Sequence, residues 1–329
     1  ASIREAMVRS AEELARLAHQ ETGLGRAEDK LVKNQLVTRK TSGTEVLVPQ
    51  AVTGDNGLTL TEYAPYGVIA AITPTTNPNA TIICNTIAMV AAGNSIVFNV
   101  HPNARQCSMA NVRLLNQAIE EAGGPANLVC AVAEPTIESA QELMRHPGVR
   151  LLAVTGGAGV VREAMTSGKR AICAGPGNPP VVVDSTADLE LAGGQIVAGG
   201  SFDNNIVCTD EKEVIAVDGI VDDLLRQMER NGAYLLDAAE LRRLEPHFFS
   251  VTWGAGGSTG SQTISIVDEL QRASGIPGMA HFTCVGSSVS ELRAALADME
   301  RRGIRNVLTL RGDPPQGQDT FEPAPLSLI

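Results

Sequence analysis

From about residue 67 the chain alternates regularly between short β-branched runs and longer, mixed stretches. GVIAAIT (67–73), SIVFNV (95–100), LVCAVA (128–133), LLAVTG (151–156) and PPVVVD (179–184) read as buried strands, being apolar and too short for helices. NATIICNTIAMVAAG, ARQCSMANVRLLNQAIEEAG, IESAQELMRH and VVREAMTS lie between them and have helix length. Such alternation predicts right-handed βαβ crossovers and an α/β fold built on a doubly wound parallel sheet. Ahead of it, ASIREAMVRSAEELARLA carries the spacing of an amphipathic helix, and a polar segment fills residues 30–57. Past about residue 240 the alternation continues in another vocabulary. PHFFSVTWGAGG, MAHFTCVGSS and IRNVLTLRGDPP are strand-then-loop units, with TISIVDELQRAS and SELRAALADMERRG as the helices between them.

Ligands of doubly wound sheets bind beyond the carboxyl ends of the strands. TPTTNP, VHPN and TGGAG each follow a strand directly and mark the place to look. Composition narrows the choice of ligand. The chain has 329 residues, enough for two domains or one large one, and 43% apolar residues supply a core. A net charge of −11 with no Lys/Arg block excludes nucleic acid as a partner. No apolar run is long enough to span a bilayer, and the N-terminal stretch lacks the plan of a signal peptide. The six cysteines are far apart with no CxxC pair, which predicts no metal site, no disulfide framework and a reducing cytoplasm.

Four of the cysteines (Cys84, Cys130, Cys173, Cys284) lie within apolar patterns, where a small buried thiol is the ordinary reading, and Cys107 lies on an otherwise polar helix. Cys208 differs. It follows the loop GGSFDNN and precedes a charged segment, which places it at a loop mouth. A nucleophilic thiol needs such partial exposure and nearby donors for an oxyanion. A structural cysteine in a turn would look the same.

SFDNNIVCTDEKEV, ITPTTNPNAT, FNVHPNA, VTGGAGVVREAM and AGPGNPPVVVD stand in the order found in CoA-acylating aldehyde dehydrogenases, and over roughly residues 1–238 the chain resembles that family. The resemblance implies a Rossmann-like sheet and oxidation of a small aldehyde, of the propionaldehyde or acetaldehyde kind, to its acyl-CoA. Cys208 would be the nucleophile, forming a thioester, and Asn77 would stabilise the oxyanion together with the Cys208 backbone N–H. Thr73 and Pro74 would flank the nicotinamide, and Thr155, Gly156 and Gly157 would approach the cofactor phosphates. Asn99 stands where the family usually has a lysine for the adenosine ribose, which leaves NAD and NADP open, with NAD the expectation. Ala174 stands where hydrolytic relatives carry a general-base Glu, which favours CoA over water as acyl acceptor.

The second vocabulary resembles methylenetetrahydrofolate reductases over roughly 246–317, with three successive units of a (β/α)8 barrel. Thr252, His281, Arg311, Gly312 and Asp313 would then contact FAD. A satisfied core histidine and a local ion pair are the plainer readings of His281 and of Arg311 with Asp313. The family's upstream catalytic Glu has no counterpart here. Both resemblances are partial: each leaves part of its family's fold uncovered, including the oligomerisation strand of the first. Three open barrel units are expected to be unstable alone. The expected organisation is a cofactor domain over 1–200, the start of a catalytic domain over 201–238 and a partial barrel over 239–329. The join, between about Leu236 and Pro246, reads as a chimera of two fragments. The alternatives to an acylating aldehyde dehydrogenase are a folate reductase fragment and a nucleotide-binding module without catalysis. The resemblances imply homo-oligomers for intact enzymes of either family, and the first allows a bacterial microcompartment beside the expected cytoplasm.

Overall fold

The amphipathic N-terminal pattern folds as α1 (Ser2–Thr22), which buries Ala6, Met7, Ala11, Leu14, Ala15 and Ala18 at the three- and four-residue spacing of one helix face. Gly23 ends it in the left-handed conformation (φ 67°), its N–H donating to the His19 carbonyl at 2.9 Å. The computed structural model describes residues 1–234, 246–251, 260–283 and 287–310.

A second helix, α2 (Ala27–Lys40), lies within the polar segment. It is invisible to a hydrophobic pattern because its inward residues are Lys30, Lys33, Asn34 and Thr38, whereas its apolar Val32 and Leu36 face outward. A hairpin follows, β1 (Gln50–Gly54) paired antiparallel with β2 (Gly57–Thr61), exposed at every position.

The alternation then builds β3 (Val68–Ile72), α3 (Pro78–Ala91), β4 (Ser95–Asn99), α4 (Arg105–Glu121), β5 (Val129–Ala131), α5 (Ile137–Arg145), β6 (Val149–Thr155), α6 (Ala158–Met165) and β7 (Ala171–Ala174). These five strands form one parallel sheet in the order β5-β4-β3-β6-β7. Successive residues point to opposite faces, so the sheet makes two cores. Ala71, Ile96 and Phe98 pack with Met7 and Leu14 of α1, Ile82 and Ile83 of α3 and Leu115 of α4. Ala70, Ile72, Leu152 and Val154 pack with Ala140 and Met144 of α5 and Ala164 of α6. Helices on both faces make the sheet doubly wound, as the alternation predicts.

PPVVVD departs from the expectation of a buried strand. It forms β8 (Pro180–Val183), with Val182 exposed, and pairs in parallel with β9 (Glu213–Ala216) in a separate two-stranded sheet. Five residues separate β7 from β8. A parallel neighbour needs a crossover of about a dozen or more, so β8 cannot continue the main sheet. α7 (Leu189–Ser201) and α8 (Val221–Arg230) pack with this small sheet through Val183, Ile196 and Leu224.

The chain divides into two compact units, Ala1–Ala233 and Tyr234–Ile329. In the second, β10 (Phe249–Val251), β11 (Gly278–Thr283) and β12 (Asn306–Leu310) are parallel and adjacent in sequence order, as in consecutive barrel units. α9 (Gly260–Ser274) and α10 (Val289–Arg301) cover one face, with Val267, Ala280, Phe282 and Met299 between them.

Phe98 is fully buried in the first core. Phe98→Ala is expected to lower the stability of the first unit by about 3–5 kcal/mol, measured by urea unfolding. Ile172→Ala, at an exposed position of β7, is expected to move it by no more than about 0.5 kcal/mol.

Candidate active site

The carboxyl ends of β4, β3 and β6 lie side by side, and their register places Asn99, Ile72 and Val154 in one row. The residues just beyond that row meet at one edge. Thr73 is buried, its N–H donates to the Asn99 carbonyl at 3.4 Å, and its hydroxyl is buried with no partner, as is that of Thr75. Pro74 is half-buried beside it. Thr155 ends β6. The Gly156 N–H is held by the Ala174 carbonyl at 3.1 Å, and a Cβ there would come within 2.7 Å of Val160. Gly157 is exposed at the N-terminus of α6 with nothing within 4 Å of a Cβ position. Close approach at Gly156 and open space at Gly157 suit an anionic group on helix N–H donors.

Asn99, at the end of β4, is held by the fold. Its amide oxygen accepts from Ser139 Oγ at 2.7 Å and its Nδ2 donates to the Thr136 carbonyl at 3.3 Å, tying β4 to the N-terminal cap of α5.

Cys208 is half-buried in a turn. Gly177, in the GPGN loop after β7, packs directly on it: a Cβ at Gly177 would fall 2.0 Å from the Cys208 carbonyl oxygen. Lys212 Nζ donates to the carbonyls of Asn205 and Val207, both at 3.0 Å, and to Asn205 Oδ1 at 2.6 Å, bracing the residues that lead into the cysteine. Just upstream, Asp203, Asn204 and Asn205 are all left-handed, with φ of 46°, 55° and 58°. Asp and Asn are the non-glycine residues that tolerate this region best.

The run is gripped by α2 and the turn before it. The Arg26 N–H donates to Asp203 Oδ1 at 2.7 Å, and Asp29 accepts the Asp203 N–H at 2.9 Å. The ammonium groups of Lys30 (3.2 Å) and Lys33 share Asp203 Oδ2. Residues 29, 30 and 33 lie on one helix face. Gly25 (φ 63°) admits the carboxylate, since a Cβ there would meet Asp203 Oδ1 at 2.0 Å. Lys33 also donates to Asn77 Oδ1 at 2.5 Å. Asn77 sits at the N-cap of α3, yet its side chain makes no capping bond to the helix.

Burial pulls the Lys33 ammonium below the usual lysine range, against the pull of Asp203 and with the help of the neighbouring Lys30 charge. The folded protein thus holds this proton less tightly than the unfolded chain does. The associated stability penalty is fully present below the folded pKa and eases as pH rises through it. Asp210 is pushed up, chiefly by burial, against the charges of Lys212 and Lys33.

The sequence singles out Cys208 and Asn77 as candidates but not Lys30, Lys33 and Asp203, which link Asn77 to the run before Cys208, nor Lys212, which braces that run. The available signals were the Asp-Asn-Asn triplet ahead of the cysteine and the spacing of 29, 30 and 33. In the second unit His281, half-buried on β11, bonds through Nε2 to Ser250 Oγ at 2.8 Å. Thr252, Arg311, Gly312 and Asp313 lie outside the described residues. Among those described, no cluster of metal-type ligands occurs and no helix is long and apolar enough to cross a membrane.

Residues 1–235 match the Aldehyde dehydrogenase family model. The chain belongs to that family. Residues 226–327 match the model for Methylenetetrahydrofolate reductase. The first match is deep: the acetylating acetaldehyde dehydrogenase EutE of Salmonella typhimurium is 55% identical over 246 residues, 74% of this chain and 53% of its own length. The chain thus spans about half the length of the curated relatives it matches. A Rhodopseudomonas palustris propionaldehyde dehydrogenase, solved with bound CoA and an acylated cysteine, superposes with a TM-score of 0.72 at 46% identity, over 85% of this chain and 66% of that one. A propionaldehyde dehydrogenase from the Clostridium phytofermentans fucose utilisation bacterial microcompartment, solved as a variant with its Cys replaced by Ala, gives 0.67 at 38%, over 94% and 69%. This aldehyde dehydrogenase chain therefore sits among acylating members.

The cysteines are ordered opposite to the sequence reading. Cys107, on the polar helix α4, is fully buried, whereas Cys84, Cys130 and Cys173 are half-buried. Burial and the Glu21 carboxylate, whose oxygens accept the N–H groups of Gln106 and Cys107 at 2.7 Å, push the Cys107 thiol up to about 12. Iodoacetamide on the folded chain at mildly alkaline pH is expected to modify Cys208 well before Cys107, which should react only after unfolding; peptide mapping by mass spectrometry reads the order.

Proposed function

We propose that residues 1–234 carry the nucleotide-binding sheet and the nucleophile of a CoA-acylating aldehyde dehydrogenase acting on acetaldehyde or propanal. The observation that carries the reading is the seating of Cys208: partly exposed, braced by Lys212 and packed under Gly177, in a chain 55% identical to an acetylating acetaldehyde dehydrogenase.

The chemistry follows from these groups. The Cys208 thiolate adds to the aldehyde carbonyl carbon, forming a C–S bond and placing the carbonyl electron pair on oxygen. The Asn77 amide N–H and the Cys208 backbone N–H donate to that oxyanion. Its collapse to a thioester expels a hydride. A nicotinamide cofactor, NAD in our reading, would supply the acceptor for that hydride when bound beyond the ends of β3 and β6. The fit of such a cofactor is supported by the unpartnered hydroxyl of Thr73, the closeness at Gly156 and the open N-terminus at Gly157. Pro74 and Thr155 would complete its walls. Asn99, committed to α5, would offer it no more than a second Nδ2 hydrogen. Ala174, on the strand end that leads into the glycine loop over Cys208, cannot activate water, so the thioester waits for the CoA thiol.

The acyl-transfer half of this scheme needs no cofactor and can be read directly. Incubated with propionyl-CoA, the chain is expected to gain one propionyl group on the Cys208 peptide and release CoA. Cys208→Ser should abolish that thioester, and Asn77→Ala should slow it by about 10²–10³. An unmodified Cys208 with saturable NAD binding would instead mark a nucleotide-binding module, and the absence of both acylation and NAD binding would overturn the reading altogether. Formation of NADH from propanal, CoA and NAD tests the complete reaction.

For the second unit we propose descent from a flavin-binding folate reductase barrel, supported by the match over 226–327 and by three adjacent parallel strands. FAD retained on the purified chain would count for a working site and its absence for a relic. The two family matches overlap only over 226–235, beside the division between the compact units. This supports a chimeric join, which one long DNA read across the Leu225 to Thr259 codons tests. By analogy with the Clostridium relative we place the first unit's activity in the cytoplasm or a bacterial microcompartment.

A further inference from the structure

Resting on that reading of Asn77 and Cys208, we infer that Lys33 is a positioning residue: it fixes which end of the Asn77 amide meets the substrate oxygen, and through Asp203 it ties that amide to the loop carrying the nucleophile.

Lysine has three donors and no acceptor. The Asn77 atom facing Lys33 Nζ at 2.5 Å must therefore be the carbonyl oxygen, whichever way the amide might otherwise turn. Its NH2 then points away, with one hydrogen on Thr76 Oγ1 at 3.2 Å and the other available to an oxyanion. An Asn at an N-cap ordinarily turns its oxygen to the first helical N–H groups. Asn77 forgoes that bond, so its orientation is set from α2 and not by α3. The same ammonium rests on Asp203, which is fully buried and opens the left-handed run that leads to Cys208. Lys30 and the Arg26 N–H hold Asp203 as well, so its carboxylate keeps two partners when Lys33 is removed. Lys33 can thus be replaced without stranding a buried charge.

The test compares two reactions of one thiol. Transfer of a propionyl group from propionyl-CoA passes through an oxyanion: the Cys208 sulfur bonds to the carbonyl carbon, the bond to the CoA sulfur breaks, and CoA leaves as its thiol after taking a proton. Alkylation by iodoacetamide displaces iodide and forms no oxyanion. Lys33→Met and Lys33→Gln are expected to slow acylation by about 10–10² while leaving the alkylation rate of Cys208 within about twofold. In an Asn77→Ala background Lys33→Met should add no further loss, because both changes remove one function. Unchanged acylation in Lys33→Met beside a slow Asn77→Ala overturns the inference. So do variants that lose alkylation, or cooperative unfolding, together with acylation, since Lys33 would then only support the fold. If Asn77→Ala itself leaves acylation unchanged, the failure belongs to the assigned oxyanion donor, and the inference falls with it.

Discussion

The Asp203 carboxylate, wholly removed from solvent, takes hydrogen bonds from two lysines and a backbone N–H, all from the second helix and the turn before it. A buried charge is tolerated only when its partners are in place, and removing an essential one costs about 3–5 kcal/mol. Much else at the site is arranged around that requirement. Gly25 is a glycine because the carboxylate occupies the space of a side chain. Two of the inward residues of α2, Lys30 and Lys33, are cations because their partner is this anion. The left-handed triplet persists because its first member is fixed at the carboxylate and its last by Lys212.

This inversion of the usual rule explains which parts of the fold were legible in the sequence. β3, β4 and β6 announce themselves through runs of apolar residues, as do the helices between them, and both faces of the sheet are dry. α2 buries Lys30 and Lys33 and exposes Val32 and Leu36, so a hydrophobic pattern points to the wrong face. The misreading of PPVVVD has another cause: apolar content identifies a strand but not its sheet, and the shortness of the link from β7 was the better guide. Cys107 misled for a related reason. Its helix is polar in composition, yet the cysteine lies on the one side that faces inward.

The candidate site was legible in the motifs that carry Cys208 and Asn77 and not in the contacts that support them. Cys208 and Asn77 are carried by short, distinctive motifs. The contacts that orient them join residues remote in sequence, and no local pattern encodes such a pairing. Asn99 is a further case of a contact between residues remote in sequence. Its place in a motif suggests a cofactor contact, while its amide is engaged in holding β4 to α5. In the second unit, three strands and two helices follow their sequence signals, and half-buried His281 bonds to Ser250.

The distance between clamp and cysteine loop also orders the assembly of the protein. The bonds from Arg26, Lys30 and Lys33 to Asp203 span 177, 173 and 170 residues. Closing such a loop is slow compared with forming a helix or a neighbouring strand pair. The main sheet lies wholly within that span, between α2 and Asp203. The loop carrying Cys208 cannot be set before the Asp203 carboxylate arrives. Until residue 203 is made, Lys30 and Lys33 lack the carboxylate that pairs them in the finished fold.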